Sequence, residues 1–386
     1  MTGASAPVFY MHNNFQYVII GAGSAGLQLA SLLLKAPKNL VGSILLLEKS
    51  PVHENKTWCF WDSIEHKYTG LVKKTWGSTQ FSAAGFSKSE NTGPVVYQYV
   101  ESGDFYDFYM ESFKSQERIT VRYGVADRVS CEGEQCFVML GDETICCEYI
   151  FCTDPTLLNR NDEVSDGVLQ SFLGWQVTFE SPVFNADCAT MMDFEHSIAG
   201  ETNFMYVLPF SPYEALVECT FFAESVKDEA IYKRQIETYI TKKYGQDYQL
   251  VREERGLIPM RLLRDNQLPV NRIIPIGLAA GCIKASTGYS FTRNRRYAKH
   301  IYQQVLEEKE ITAPKWKKRF LFYDSLFISI LKHQPGVMQK ILVQLFRKNK
   351  ISLVLKFLDE DTNIFEEAII FSTLPKWPFL KSLLFR

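Results

Sequence analysis

The segment Tyr17-Val-Ile-Ile-Gly-Ala-Gly-Ser-Ala-Gly26 constrains the fold most, because a β-branched run passes straight into a Gly-x-Gly-x-x-Gly turn. Leu27, Ala30, Ser31 and Leu34 then follow helical spacing, and Ser43-Ile-Leu-Leu-Leu-Glu48 reads as a second buried strand ending in an acid. Together these predict a βαβ unit. In such a unit Gly21 and Gly23 permit a tight turn and a close approach of backbone N–H groups to a pyrophosphate, and Gly26 lets the helix pack on the strand. Glu48, 22 residues after Gly26, stands where a carboxylate accepts hydrogen bonds from an adenosine ribose. A bare glycine motif is weak evidence. Here the preceding strand, the following helix and the spaced acid make it a dinucleotide site, and its place at the start of a long chain favours FAD over NAD as the resident cofactor.

A chain of 386 residues exceeds one ordinary core, so two lobes are expected. With 46% hydrophobic and 22% charged residues it is an ordinary folded globular composition, which excludes a disordered chain. The formal net charge of -2 provides no general field for polyanions, so nucleic acid is not an expected partner. Nine cysteines with no Cys-x-x-Cys pair, and six scattered histidines, give no zinc spacing. No metal is expected, and the cysteines read as small buried thiols of a reducing cytoplasm. Met1 to Gln16 lacks the basic start and apolar run of a signal peptide, and no uncharged run reaches the ~20 residues a membrane span needs.

Further along, short alternating runs from Val121 to Asp154, broken at Gly133 and Gly141-Asp142, predict a β-meander that returns to the first sheet. Trp175–Phe179, Asn203–Leu208 and Ala215–Phe222 predict a second, mostly antiparallel sheet, the natural floor of a substrate cavity. Ile273–Gly277 reads as a last strand of the first domain, followed by a loop with Thr287-Gly288-Tyr289 and a helix over 293–308. The C-terminal segment alternates apolar runs with Lys and Arg, a pattern that either caps a core or lies on anionic lipid. The expected architecture is α/β. A Rossmann-like FAD-binding domain occupies 1–62, 101–165 and 273–308, an antiparallel β-sheet substrate domain 63–100 and 166–272, and a helical C-terminal cap 309–386.

One carboxylate stands out. Glu218 interrupts the otherwise apolar run Ala215-Leu-Val-Glu-Cys-Thr-Phe-Phe222, and a half-buried strand strips such a group of hydration, which favours its neutral acid form. It is the candidate proton donor. The alternatives for the same residue are a solvent-facing position or pairing with an arginine.

Five ordered segments carry a resemblance. Asn55-Lys-Thr-Trp-Cys-Phe-Trp61, Phe172-Leu-Gly-Trp-Gln-Val177, Tyr206-Val-Leu-Pro-Phe-Ser211 with Leu216-Val-Glu-Cys-Thr220, Arg252-Glu-Glu-Arg-Gly-Leu-Ile-Pro-Met260, and Gly277-Leu-Ala-Ala-Gly281 with Lys284-Ala-Ser-Thr-Gly-Tyr-Ser290 are similar to successive motifs of the bacterial lycopene cyclase family. The resemblance covers nearly the whole chain. It implies a flavoprotein that closes the ψ-ends of lycopene or a related carotenoid into β-rings without net redox, with reduced FAD active, NADPH as reductant and peripheral association with the inner membrane on the cytoplasmic side. It also implies that Gly277, Thr287, Gly288 and Tyr289 join Gly21, Gly23, Gly26 and Glu48 at the cofactor.

The sequence departs from the family at three places. The acid that follows the catalytic one is Cys219, the His-Pro before Thr-Gly-Tyr is Lys284-Ala285, and the His after Phe60 is Trp61. Glu218 therefore acts alone or with another partner, Glu253 or Glu254. Phe210, Tyr213, Phe221 and Phe222 lie near it in sequence and are candidates to face a carbocation. The rival reading is an FAD- and NAD(P)H-dependent monooxygenase, but such enzymes usually carry Gly-Asp where this chain has Gly277-Leu278. A carrier of carotenoid or lipid is a third, and it has no need of the nucleotide motif. Oligomeric state is not legible.

Overall fold

The computed structural model describes residues 14–158, 168–262 and 272–385. Most of the Met1–Gln16 reading, and the domain boundary at 165, lie outside the described residues. Strand β1 (Asn14–Ile20), helix α1 (Ser24–Leu33) and strand β2 (Ile44–Glu48) form the expected βαβ unit, with β1 and β2 parallel and Val18, Ile19 and Leu45–Leu47 wholly inside. Gly21 has φ +96°, and a Cβ there would strike the Thr153 hydroxyl; a Cβ on Gly26 would strike the Gly21 carbonyl. Only glycines close this turn.

Strands β3 (Thr57–Asp62), β4 (Val72–Trp76), β5 (Ser78–Ala83), β6 (Phe86–Asn91) and β7 (Val96–Glu101) follow, then helix α2 (Ser102–Lys114). Strands β8 (Ile119–Tyr123), β9 (Arg128–Glu132), β10 (Gln135–Leu140) and β11 (Glu143–Cys152) contain the meander. The first sheet runs β8-β2-β1-β11-β10-β9, with β17 (Ile273–Pro275) beside the end of β11. Its central parallel strands carry the buried apolar runs Val18–Ile20 and Ile44–Leu47, as strands covered on both faces do. β3 pairs with β7, and β7 with β4, in a small antiparallel sheet between the lobes.

Cys131 and Cys136 sit opposite each other across the β9–β10 hairpin, Cα atoms 4.0 Å apart, and form a disulfide. This corrects the expectation of free thiols throughout: a two-residue turn at Gly133-Glu134 makes a pair five apart into direct cross-strand neighbours. Among the described residues the other seven cysteines form no disulfide.

The second sheet has the order β16-β12-β15-β14-β13-β5-β6, built from β12 (Val168–Phe179), β13 (Cys188–Asp193), β14 (Thr202–Pro209), β15 (Glu214–Ala223) and β16 (Tyr248–Met260). All of its pairings are antiparallel except β13 with β5. Helix α3 (Glu229–Lys243) covers one face, meeting Val217, Cys219 and Phe221 of β15. The other face carries Leu216, Glu218, Thr220 and Phe222, and period-two alternation alone divides the two sets. Over that second face lie the C-terminal helices α5 (Lys318–His333), α6 (Pro335–Lys348), α7 (Ile351–Leu358), α8 (Ile364–Ser372) and α9 (Lys376–Ser382), whose inner residues Ile330, Met338, Leu345, Phe346 and Val354 pack with Phe204, Leu208 and Phe222. The expected helix over 293–308 is α4 (Phe291–Leu306), docked on α1.

Candidate active site

A cavity of about 890 Å³ lies between the two sheets and the C-terminal helices. It starts at Gly23, Ser24 and Ala25, passes Trp58, Phe172, Tyr206, Glu218 and Tyr289, and ends among Phe357, Phe371 and Phe379 of the cap. That volume is in the range of sites for large small-molecule ligands. The largely apolar, aromatic walls suit an extended apolar one.

Glu218 is 7% exposed and faces this cavity. Burial pushes its carboxyl up from 4.5 to about 8, the Thr220 hydroxyl opposes the shift by donating a 2.6 Å hydrogen bond, and nearby Glu254 adds to it. No cation pairs with it among the described residues. Of the two alternative partners, Glu254 lines the cavity from β16, whereas Glu253 points to the opposite face and binds Trp175, Lys233 and Arg255. Alternation along β16 decides this. Glu254 accepts a 2.9 Å hydrogen bond from Thr57 and lies 3.2 Å from the Arg252 guanidinium, yet burial still holds its carboxyl above the ordinary range.

The proposed aromatic neighbours divide differently from expectation. Phe222 lines the cavity, but Phe221 turns to Tyr232 of α3, Tyr213 sits exposed at the β14–β15 turn, and Phe210 packs on Tyr99 away from Glu218. Proximity in sequence is not proximity in a strand, where successive side chains face opposite ways. Tyr206 stands directly across from Glu218 on β14. Its hydroxyl bonds that of Tyr97, which in turn lies 2.7 Å from that of Tyr289. Cys59 is half-buried beside them, its thiol pushed up to about 12 by desolvation and thus neutral.

Helix α1 has no side-chain cap, so its first N–H groups are free for an anion, and nothing stands within 4 Å of a Cβ on Gly23. Gly277, Thr287, Gly288 and Tyr289 all line the cavity. Gly288 has φ +73°, and a Cβ there would meet Gln170. The Oδ1 of Asn294 and the Oε1 of Gln170 are buried with no hydrogen-bond partner among the described residues, and both residues border the same space. These features fit a flavin dinucleotide. Glu48 also stiffens the turn: its carboxylate accepts the Ala22 N–H at 2.6 Å and the Lys49 N–H at 2.9 Å.

Comparison with known proteins decides the family, since the family described as Lycopene cyclase protein matches residues 16–384. The chain belongs to the lycopene cyclase family. No curated protein matches it. Among solved structures it is similar to a geranylgeranyl bacteriochlorophyll reductase-like protein from Thermoplasma acidophilum, at 14% identity and a TM-score of 0.61, over 96% of each chain. A tryptophan halogenase from Shewanella frigidimarina gives 10% identity and a TM-score of 0.58 over 96% of this chain and 95% of that one. The flavin-dependent monooxygenase PieE, in complex with FAD and substrate, gives 11% identity and a TM-score of 0.59 over 94% of this chain and 73% of that one. These likenesses show the fold of FAD-dependent oxidoreductases and halogenases.

Two departures of this lycopene cyclase family member now have a structural account. Lys284, in place of the family histidine, is buried and bonds Asp324 at 2.9 and 3.0 Å and Glu360 at 3.0 Å. Trp61 packs edge-on against Tyr289, ring centroids 4.8 Å apart, and so supports the wall of the cavity.

Proposed function

We propose that the chain is an FAD-dependent lycopene β-cyclase, an intramolecular lyase that turns the ψ-ends of lycopene into β-rings and gives γ- and then β-carotene. The observation that carries this reading is Glu218, an acid without a cationic partner in the wall of a largely apolar cavity that runs unbroken from the glycine turn to the cap. Held neutral by burial, Glu218 donates its proton to the terminal double bond. The rings of Tyr206, Tyr289, Phe172 and Phe222 face the cation that develops, and the apolar walls keep out water that would trap it. Gly21, Gly23, Gly26, Gly277 and Thr287–Tyr289 would hold FAD, which in its reduced form, with NADPH as reductant, would supply negative charge to stabilise the cation without net electron transfer.

Substrate this apolar enters from a bilayer. The cavity reaches Phe322, Lys376, Leu380 and Leu383, and next to that end Ile364, Phe365, Ile369, Trp377 and Leu384 are exposed, Phe365 at 83% and Trp377 at 74%. Among the described residues no helix is long and apolar enough to cross a membrane, so α8 and α9 are proposed to rest in the interface, at the cytoplasmic face of the inner membrane. Arg347, Lys348 and Lys350 are not at this mouth: they lie where α6 ends, with Arg347 over the Phe86 ring of β6.

The test is the product. Anaerobic incubation of the flavin-loaded protein with lycopene in deuterated water is expected to give an isomer carrying one deuterium per new ring. Glu218→Gln retains flavin but cyclises at least ~100-fold more slowly, the usual effect of losing a general acid. Gly23→Val fills the opening at the glycine turn and is expected to lose the flavin. A product that requires oxygen, or an unlabelled ring, overturns the reading.

A further inference from the structure

The register of three neighbouring strands brings two acids to one gap. Gly174 of β12 is paired with Glu218 of β15 on one side and with Glu254 of β16 on the other. A Cβ on Gly174 would lie 3.0 Å from Leu216 Cδ1, 3.5 Å from Glu218 Cβ and 3.5 Å from Glu254 Cγ, so the stems of the two glutamates flank this glycine from either side. Both open on the cavity.

Their surroundings differ. Glu218 has the Thr220 hydroxyl as its hydrogen-bond partner, and the groups that face it are Glu254, Tyr206 from β14, Tyr289 from the loop before α4 and Cys59 from β3, none of them cationic. Glu254 has Arg252 at 3.2 Å, the Thr57 hydroxyl at 2.9 Å and Lys56 nearby, with Cys59 and Glu218 as its other titratable neighbours. The site therefore supports one neutral and one ionised carboxyl, and the cation marks which is which.

We propose that Glu254 is the base that ends the reaction, paired across Gly174 with Glu218 as the acid; this rests on the cyclase reading above. The proton of Glu218 adds to the inner CH carbon of the terminal double bond and leaves a tertiary cation on the outer, dimethyl carbon. The electron pair of the next double bond forms the ring bond and leaves a cation inside the ring. Glu254 takes the proton from the adjacent ring-junction carbon, and the released C–H pair becomes the ring double bond. One proton has moved from Glu218 to Glu254, and its return over the Gly174 gap resets the site. Atoms and electrons balance, and substrate and product are isomers.

The experiment compares wild type, Glu253→Gln, Glu254→Gln and Thr57→Val as flavin-loaded proteins with lycopene, reading product structure and the pH profile of kcat. Wild type is expected to show a bell, its acidic limb set by Glu254 and its alkaline limb by Glu218. Glu254→Gln is expected to lose the acidic limb, to fall at least ~100-fold in kcat, and to give residual rings with a displaced double bond or an added hydroxyl, because the cation survives until another base or water meets it. Glu253→Gln should leave product and profile unchanged. Should Glu254→Gln fail to hold flavin, Thr57→Val keeps the carboxylate and is expected to move the acidic limb upward. An acidic limb that stays in place in both variants with the β-ring product intact overturns the role of Glu254. A wild type that makes no isomer at all instead overturns the cyclase reading on which it rests.

Discussion

Glu218 gains its chemistry from what its neighbours lack. Burial among apolar and aromatic groups raises its carboxyl from 4.5 to about 8, and only the Thr220 hydroxyl works against the shift. Between those values the folded chain keeps a proton that the unfolded chain has released, so its contribution to stability falls as pH rises through the window and is exhausted above about pH 8. The slope is at most about 1.4 kcal/mol per pH unit. Glu218→Gln has no such linkage, so its stability relative to wild type is expected to increase steadily from about pH 5 to about pH 8, as read from urea midpoints. A difference that is the same at both ends of that range would show that Glu218 is ionised or solvated in the folded protein. This residue was legible in the sequence because one acid interrupts a long apolar run. Glu254 was legible only as one of two: the sequence offered Glu253 or Glu254 as a partner, and only the pairing of β16 with Gly174 shows which of the two glutamates turns inward.

At the scale of elements, the βαβ unit was legible because its turn admits only glycine, as Gly21 and Gly26 show. The second sheet followed from its alternation. What alternation could not reveal was the disulfide across the β9–β10 hairpin, or which side of each C-terminal helix is core, since both depend on partners distant in sequence or on turn geometry. Apolar runs with interspersed lysines fitted a cap and a lipid surface equally. Helices α5 to α7 turned out to bury their apolar sides against the second sheet, whereas α8 and α9 expose Phe365, Ile369, Trp377 and Leu380 beside Lys376 and Lys381. The protein is therefore expected to float with vesicles containing anionic lipid, and Trp377→Asp with Phe365→Asp to abolish this. Lys376→Gln with Lys381→Gln should weaken it and reduce its salt dependence, each lysine near the surface contributing about 1 kcal/mol. Loss of binding on removing Arg347, Lys348 and Lys350 instead would place the membrane face at the end of α6.

For the whole molecule, the cap must be held over a cavity whose floor belongs to another part of the chain, and apolar packing alone does not fix its register. A buried ionic cluster also ties the two together. Lys284, from the same loop that presents Thr287, Gly288 and Tyr289, binds Asp324 of α5 and Glu360 just beyond α7, and Arg293 of α4 reaches Glu360 at 3.3 Å. Glu360 adopts φ +62°, a conformation that disfavours a side chain and that these bonds help to hold. The loop at the active site and the cap thus share one anchor. Lys284→Met leaves Asp324 with no cation at its carboxylate and is expected to destabilise the fold by about 3–5 kcal/mol, the usual cost of removing one partner from a buried pair. Adding Asp324→Leu removes the stranded charge, so the double variant should recover most of that loss in urea unfolding. Stability alone does not show that the cluster positions the cap, and kinetics separate the roles. If the double variant regains stability and still cyclises with a raised KM and altered pigment ratio, Lys284 sets the register of the cap over Glu218; if it regains both stability and wild-type kinetics, the cluster is only one way of filling that space.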